Sequence, residues 1–212
     1  MLTAPVRAAR GRRPLRPRLV GAALAAVLAV GLSACAPEDG GADAFRGDGN
    51  VGYNGESLRV TEIAVADRGE PVVFSGETED GSTFSSDSIR GEVAVVNFWY
   101  ATCGPCRIEA KDLESVWKKH EADGVKFIGV NIYDAADTAK AFAEEYGITY
   151  PSILDADSGD AKLAFAKVAP LQAPPTTLVL DRKGRVAARI LGPIDGTSVL
   201  STLIKDLLAE KA

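Results

Sequence analysis

The chain has 212 residues, of which 46% are hydrophobic and 25% charged, and its formal net charge is −5. This length allows a domain with a sizeable core, and the excess of acids argues against nucleic acid as a partner. Three cysteines are an odd number, so at least one of them lies outside any pair within the chain and we expect it to have a separate role.

The N-terminal segment has the composition of a secretory signal. Six arginines precede an uncharged run from Leu19 to Leu32, and its length of about 14 residues is below the roughly 20 needed to span a bilayer. Leu-Ser-Ala then precedes Cys35, an arrangement that resembles a bacterial lipobox. We predict a lipoprotein signal peptide over residues 1–34 and lipid attachment at Cys35. An ordinary cleavage site that carries a cysteine is the alternative.

The segment after Cys35 is rich in glycine and acids and has no periodicity, so residues 35–57 are predicted to be a flexible tether. Removal of the signal leaves 18 basic residues against 29 acidic ones, a net charge of −11. The lipid, and not a basic patch, would therefore hold the protein to the membrane, on its extracytoplasmic face.

Short apolar runs alternate with helical patterns over residues 58–212, which we assign to one domain. Strands are predicted at residues 58–65, 72–77, 93–100, 125–132, 176–180 and 185–191, with a turn at Asp80-Gly81, and helices at 105–120, 138–146, 160–167 and 198–210. This order predicts an α/β fold with a central mixed β-sheet flanked by helices.

Two of these helices have apolar positions that can share an inward face. They are Ile108, Leu113, Val116 and Trp117 in the first helix and Val199, Leu200, Leu203, Ile204 and Leu207 in the last. His120 follows two lysines at the end of the first helix, and we expect these three side chains to be solvated.

Cys103 and Cys106 enclose Gly104 and Pro105 at the start of the first helix, directly after the apolar run 93–100. A pair this close closes too short a loop to stabilise a core, so its value is chemical. At a helix N-terminus, free N–H groups and the helix dipole favour a thiolate, and we expect Cys103 to be ionised and reachable. Cys106, one turn further, is expected to be buried and to resolve a mixed disulfide.

A structural disulfide and half of a zinc site are the alternatives for this pair. A zinc site needs a second pair of ligands, and His120 is the only further candidate in the sequence. We therefore predict neither a metal nor any cofactor apart from the cysteine pair itself.

Three short motifs resemble the TlpA/ResA-like branch of the thioredoxin family. They are Asn97-Phe98-Trp99, Cys103 to Arg107, and Pro175-Thr176-Thr177, and the resemblance runs from about Val72 to the C-terminus. It implies a thioredoxin-like fold with an N-terminal β-hairpin extension and a membrane-tethered disulfide reductase. It further implies disulfide-bearing exported clients, apocytochrome c in cytochrome c maturation among them, and a membrane electron donor of the CcdA type.

Residue by residue, the resemblance makes Cys103 the attacking thiol and Cys106 the resolving one. Pro175 would be a cis-proline beside the disulfide, with a plain loop proline as the alternative. Glu109 would be a partly buried carboxylate with a raised pKa that exchanges a proton with a cysteine, with a solvated first-turn glutamate as the alternative. Asn97 stands where thioredoxin keeps a buried aspartate.

The resemblance also implies a substrate-binding surface, formed here by Trp99, Thr102, Gly104, Pro105 and Pro174. Three positions depart from the family pattern: Thr102 replaces a usual tryptophan, Lys111 a common proline, and Pro174 has no N–H to offer a client backbone. These departures bear on substrate preference and redox potential, not on the reaction.

The leading hypothesis is a thiol–disulfide oxidoreductase that reduces exported proteins. The same site could instead act as an oxidant or as a peroxiredoxin-like peroxidase, because the two residues between the cysteines do not alone set the potential. A non-enzymatic lipoprotein that binds a partner through a thioredoxin-like platform is the third hypothesis, and an inert cysteine pair would favour it.

Overall fold

The computed structural model describes residues 60–167 and 174–210. The predicted signal peptide, the tether and Cys35 lie outside these residues. Within the two described ranges, no helix is long and apolar enough to cross a membrane.

The described residues form eight strands and four α-helices. The strands are β1 (Val60–Glu62), β2 (Ser75–Glu77), β3 (Thr83–Ser85), β4 (Ala94–Trp99), β5 (Lys126–Asn131), β6 (Ser152–Leu154), β7 (Thr176–Leu180) and β8 (Val186–Leu191). The helices are α1 (Gly104–His120), α2 (Ala136–Tyr146), α3 (Asp160–Ala166) and α4 (Ser198–Ala209). Strands and helices alternate through most of this order, as the sequence predicts.

Six strands form one mixed sheet in the order β1-β8-β7-β4-β5-β6. Strands β4, β5 and β6 are parallel, whereas β7 is antiparallel to β4, β8 to β7, and β1 to β8. All six residues of β4 are buried, since helices cover both faces of the sheet at its centre. The predicted α/β architecture with a central mixed sheet is confirmed.

Each face of the sheet carries its own core. On one face, Phe98 and Leu178 pack with Phe165 of α3. On the other face, Leu113 of α1 and Leu203 of α4 belong to a second cluster. The side chains of the active-site helix α1 therefore contact the face of the sheet opposite to α3.

The predicted N-terminal β-hairpin is present as a separate two-stranded sheet of β2 and β3. Its connection contains Gly81 with φ of 86°, a conformation that glycine adopts without steric cost. The predicted strand 58–65 is not part of this hairpin. Instead, β1 lies at the edge of the main sheet beside β8.

Three helix positions contradict the sequence analysis. Ile108 and Val199 are 74% and 42% exposed, and His120 is 2% exposed. The buried face of α1 passes through Cys106, Glu109 and Leu113, and Ile108 lies about 100° around the helix from Glu109. The ring of His120 tolerates burial because both nitrogens have partners: Nε2 lies 3.2 Å from Ser201 Oγ of α4 and Nδ1 3.0 Å from Asp123 Oδ2.

Candidate functional site

Cys103 and Cys106 are joined in a disulfide at the start of α1. Cys103 is the N-cap residue of the helix, and its Sγ accepts the backbone N–H of Cys106 at 3.2 Å. Pro105 lies in the first turn, where its missing N–H leaves no helical bond unmade. The predicted position of the pair at a helix N-terminus is confirmed.

Both cysteines are covered in this oxidised state. Cys103 is 3% exposed and Cys106 2%, and they cluster with Trp99, Ala110 and Phe142. Cys106 is therefore buried as predicted. The disulfide form also leaves little of Cys103 at the surface, and a reachable Cys103 thiolate in the reduced form stays a prediction. The residues around it that are exposed are Thr102, Gly104 and Pro105.

Pro175 lies at the end of the sheet from which α1 begins. The Pro174–Pro175 peptide bond is cis, and Pro175 is buried directly before β7. Because Thr176 pairs with Phe98 in the antiparallel β4–β7 ladder, Pro175 comes next to the end of β4 that leads to Cys103. Its carbonyl oxygen accepts the N–H of Gly192 at 2.8 Å, and Pro174 is half-buried.

Glu109 is completely buried, so the alternative of a solvated first-turn glutamate is wrong. Its Oε1 accepts the side-chain amide of Asn97 at 2.8 Å, and its Oε2 accepts the backbone N–H of Ile194, also at 2.8 Å. Asn97 donates to Thr177 Oγ1 as well, at 3.1 Å. A strand, a helix and the loop before α4 thus all contribute to the surroundings of this carboxylate.

A small cavity of about 10 Å³ lies between Asn97 and Cys106. This volume is at the lower limit of what can hold one water molecule, and Tyr150 and Ser152 also line the cavity. Burial, followed by the charges of Glu109 and Glu114, raises the pKa of Tyr150 well above its ordinary value. The Tyr150 phenol is therefore a neutral group at physiological pH.

Trp99 forms an inner wall of the site. Its indole N–H donates to Ser152 Oγ at 3.2 Å, and its ring lies 4.4 Å from that of Phe142. The residue is 6% exposed. Trp99 packs against the two cysteines, and its contact with a substrate stays a prediction.

Contacts that the sequence analysis missed tie α1 to its neighbours. Arg107 donates its Nε to Tyr146 Oη at 2.8 Å, and this bond raises the pKa of Arg107. Asp134 accepts the backbone N–H of Ala101, two residues before Cys103. Pattern spacing carries no signal for such contacts, since the partners are 33 or more residues apart. In the described part of the chain, no cluster of three His, Cys, Asp or Glu side chains is arranged to hold a metal ion.

Comparison with known proteins agrees with this geometry. Residues 64–204 match the redoxin family, which is more than half of the chain. The chain belongs to the redoxin family. This redoxin is 32% identical to the thiol:disulfide interchange protein HelX of Rhodobacter capsulatus over 169 residues, 79% of this chain and 91% of HelX. It is 30% identical to the thiol-disulfide oxidoreductase ResA of Geobacillus thermodenitrificans, over 62% of this chain and 72% of ResA.

Among solved structures, this redoxin is similar to a secreted thiol-disulfide isomerase from Corynebacterium glutamicum. The TM-score is 0.66 with 26% sequence identity, over 77% of this chain and all of the other. The fold is thus thioredoxin-like, with a mixed six-stranded sheet and an additional hairpin. With its disulfide between Cys103 and Cys106, this redoxin is a thiol–disulfide oxidoreductase of the ResA and HelX type.

Proposed function

We propose that this protein reduces disulfides of exported proteins while a lipid anchors it to the extracytoplasmic face of the cell membrane. The observation that carries the proposal is the position of Cys103 at the N-cap of α1, with Cys106 one turn behind it. The free N–H groups there stabilise a thiolate, which is the form of a cysteine that attacks a disulfide.

The proposed reaction has two exchange steps and moves two electrons. The Cys103 thiolate attacks one sulfur of the client disulfide, so that a mixed disulfide forms and the other client sulfur leaves as a thiolate. Cys106 then attacks Cys103 Sγ, which forms the intramolecular disulfide and releases the second client thiol. The client is reduced by two electrons, and the pair is left oxidised, as it is in this structure.

Glu109 is proposed to exchange a proton with Cys106 during the second step. Both residues lie on the buried face of α1, three positions apart, so their side chains are neighbours. Cys106 must lose its proton to attack, and a carboxylate within reach directly or through one water can accept it. Cys106 and Asn97, the residue bonded to Glu109, both line a cavity that is at the lower size limit for one water.

The proposed client surface consists of residues beside Cys103. Thr102, Gly104 and Pro105 are exposed, and Pro174 is half-buried next to the cis bond. Pro174 has no N–H, so a client backbone would find no donor at this position. We infer that client recognition depends on the remaining exposed residues more than on strand-like pairing at Pro174.

Apocytochrome c is the proposed client, and a membrane electron donor of the CcdA type is the proposed source of electrons. Both rest on the resemblance to the TlpA/ResA-like branch, which the 32% identity to HelX supports. The oxidised pair must be reduced again after each turnover, so a donor of two electrons is required.

The proposed anchor combines the signal peptide 1–34, lipid attachment at Cys35 and the tether 35–57. Cys35→Ala should abolish incorporation of radiolabelled palmitate and move the protein from the membrane to the soluble fraction. Cys106→Ala is a matched control, because it removes a cysteine without touching the leader. Continued labelling of Cys35→Ala would contradict the anchor but would leave the redox proposal intact.

Reduction of insulin disulfides tests the reaction. Cys103→Ser should abolish turnover, whereas Cys106→Ala should accumulate a mixed disulfide that can be isolated and identified by mass spectrometry. Titration against glutathione buffers then decides the direction. A potential near −270 mV, about that of thioredoxin, supports a reductant, and one near −120 mV, about that of DsbA, would favour an oxidant. Full activity of Cys103→Ser would overturn the mechanism.

A further inference from the structure

The turn after β5 is bonded to the loop that carries Cys103. The backbone N–H of Ala101 donates to Asp134 Oδ2 at 2.6 Å. The side-chain amide of Asn131 donates to the same oxygen at 2.8 Å. One carboxylate oxygen thus joins the end of β5 to the segment between β4 and the active-site helix.

The position of Asp134 is itself set by its own turn. Asn131 is fully buried, and its Oδ1 accepts the backbone N–H groups of Tyr133 at 3.1 Å and of Asp134 at 2.7 Å. The N–H of Ile132 donates to the carbonyl oxygen of Trp99 at 3.1 Å. The turn is therefore fastened to the end of β4, and the Asp134 carboxylate has little freedom to move.

The loop of residues 100–103, between β4 and α1, determines where the Cys103 sulfur lies. Ala101 precedes Cys103 by two residues, and the Cys103 N–H donates to the carbonyl oxygen of Tyr100 at 3.2 Å. The Cys103 Sγ faces the N–H of Cys106 at 3.2 Å, which is the contact that would stabilise a thiolate. A shift of the loop would alter this contact, because stabilisation by helix N–H groups falls off within the first turn.

We propose that Asp134 is a positioning residue that, through Ala101, holds the Cys103 sulfur against the N-terminus of α1. Asp134 acts on the thiol–disulfide exchange without contacting either sulfur. The inference rests on the hydrogen bonds of the loop and on the established oxidoreductase activity, not on the identity of the client or on the lipid anchor.

A positioning role and a pure charge effect of Asp134 predict opposite changes in the acidity of the Cys103 thiol. If Asp134 acted only through its negative charge, it would disfavour a nearby thiolate, and its neutralisation would make Cys103 more acidic. If it acts by holding the loop, loss of the acceptor makes Cys103 less acidic. The other ionisable groups around the site include Arg107 and Glu109 on α1, Glu145 and Tyr146 on α2, and the phenols of Tyr100 and Tyr150, and the test leaves all of them unchanged.

The test compares three reduced proteins: Asp134→Ala, Asp134→Asn and, as control, Asp137→Ala. Asp137 is an exposed acid in the first turn of α2, so the control removes the same charge nearby without touching the loop. The pH dependence of Cys103 alkylation by iodoacetamide gives the apparent pKa of the thiol. The equilibrium constant with glutathione gives the stability of the disulfide.

For Asp134→Ala we expect an apparent pKa about 0.5–1 unit higher than in the wild type, and alkylation at pH 6 slower by roughly three- to tenfold. The disulfide should become harder to reduce, because the reduced state has lost stabilisation. Asp134→Asn should behave like the wild type, since the amide oxygen can accept both N–H groups. Asp137→Ala should show no shift.

Two outcomes would overturn the proposal: a lower apparent pKa in both Asp134 variants, which indicates a charge effect, or no change in Asp134→Ala. Thermal unfolding of each variant shows whether the fold is intact. If Asp134→Ala does not fold, Asp134→Glu serves instead, because it keeps the charge but displaces the oxygen by one methylene. A higher apparent pKa of the Cys103 thiol in Asp134→Glu supports the positioning role, and an unchanged pKa in that variant contradicts it.

Discussion

Asn97 of β4 donates its side-chain amide to Glu109 of α1 across 2.8 Å, and neither residue is accessible to solvent. A neutral donor thus lies beside a buried carboxylate, one helical turn from Cys106. An aspartate at position 97 would place two carboxyl groups at this distance instead. Residues 97 and 109 therefore supply one acidic group, and not two, near Cys106.

Asn97→Asp should destabilise the protein in a pH-dependent manner. Two ionised carboxylates at this distance repel each other, and burial increases the cost, so we expect a loss of about 2–4 kcal/mol in unfolding free energy at pH 8. The loss should be smaller at pH 5, where the pair can hold a shared proton. Urea unfolding at both pH values measures it. Asn97→Ala, which removes one donor to Glu109 but adds no charge, should lose less at pH 8 than Asn97→Asp does.

Glu109→Gln should lower both stability and turnover. An amide can accept the N–H of Asn97 or that of Ile194 but not both, so we expect a loss of about 1–3 kcal/mol. If Glu109 also takes the proton of Cys106, insulin reduction should slow by roughly a hundredfold.

The control for that experiment is Asp112→Asn, a half-buried acid on the same helix. It should change insulin reduction by less than about twofold, because Asp112 does not lie on the buried face of α1. Normal turnover in a folded Glu109→Gln protein would remove Glu109 from the proton-transfer step.

Acid should weaken the contact between the N-terminal part of the domain and the end of α4. Arg68 donates to Glu210 at 2.6 and 2.7 Å and to Asp181 at 3.1 Å. The bond from Arg68 lowers the pKa of Glu210, although partial burial opposes it. For Asp181, burial raises the pKa, but bonds from Arg185 and Arg68 outweigh it and leave the pKa lowered.

Carboxyl groups with lowered pKa values stabilise the fold above their ordinary range, about pH 4, and this contribution is lost as the pH falls from there through the lowered pKa values of the folded state. Arg68→Met should therefore lose about 1–3 kcal/mol at pH 7 and progressively less below pH 4. Arg90→Met is the control, because Arg90 pairs with an exposed Asp87 and should cost less than about 1 kcal/mol. An equal loss at pH 7 and pH 3 would contradict this account.

Gly129 of β5 should tolerate no side chain. A Cβ there would overlap Ser152 Oγ and lie 2.7 Å from the indole nitrogen of Trp99. Gly129→Ala should therefore cost about 1–3 kcal/mol and shift the tryptophan fluorescence as the Trp99–Ser152 bond is disturbed. A Cβ at Gly104 would have no atom within 4 Å, so the unfolding free energy of Gly104→Ala should stay within about 0.5 kcal/mol of the wild type. Equal stability of the two variants would show that Trp99 and Ser152 can move to make room for a Cβ at position 129.

Local spacing was sufficient for much of the fold and for the reacting atoms. The apolar run around Phe98 predicts a buried central strand, and Gly147 ends helix α2 as predicted. The apolar run of β4 ends just before Cys103, and the helical pattern begins at Pro105, so the sequence predicts that the helix starts between the two cysteines. Such features depend on neighbours within a few residues, which is the range over which sequence patterns carry information.

The phase of the helices could not be predicted equally well. Ile108 was expected inward and His120 outward, and the structure reverses both. The helical spacing of Ile108 from Leu113 and Val116 allows an inward position. The sequence does not show that polar Glu109 and His120 occupy the buried face and thereby turn Ile108 to the surface. The partner of His120 is Ser201, 81 residues away, and no local pattern reveals that contact.

The reaction itself was readable from the order of residues, because two cysteines separated by Gly-Pro at a strand-to-helix junction define a reactive pair through local geometry alone. What surrounds that pair depended on the tertiary structure. Ile194 approaches Glu109 across 85 residues and Asp134 reaches Ala101 across 33. Such bonds form only when distant segments pack together, because buried polar groups must find partners wherever the fold brings them.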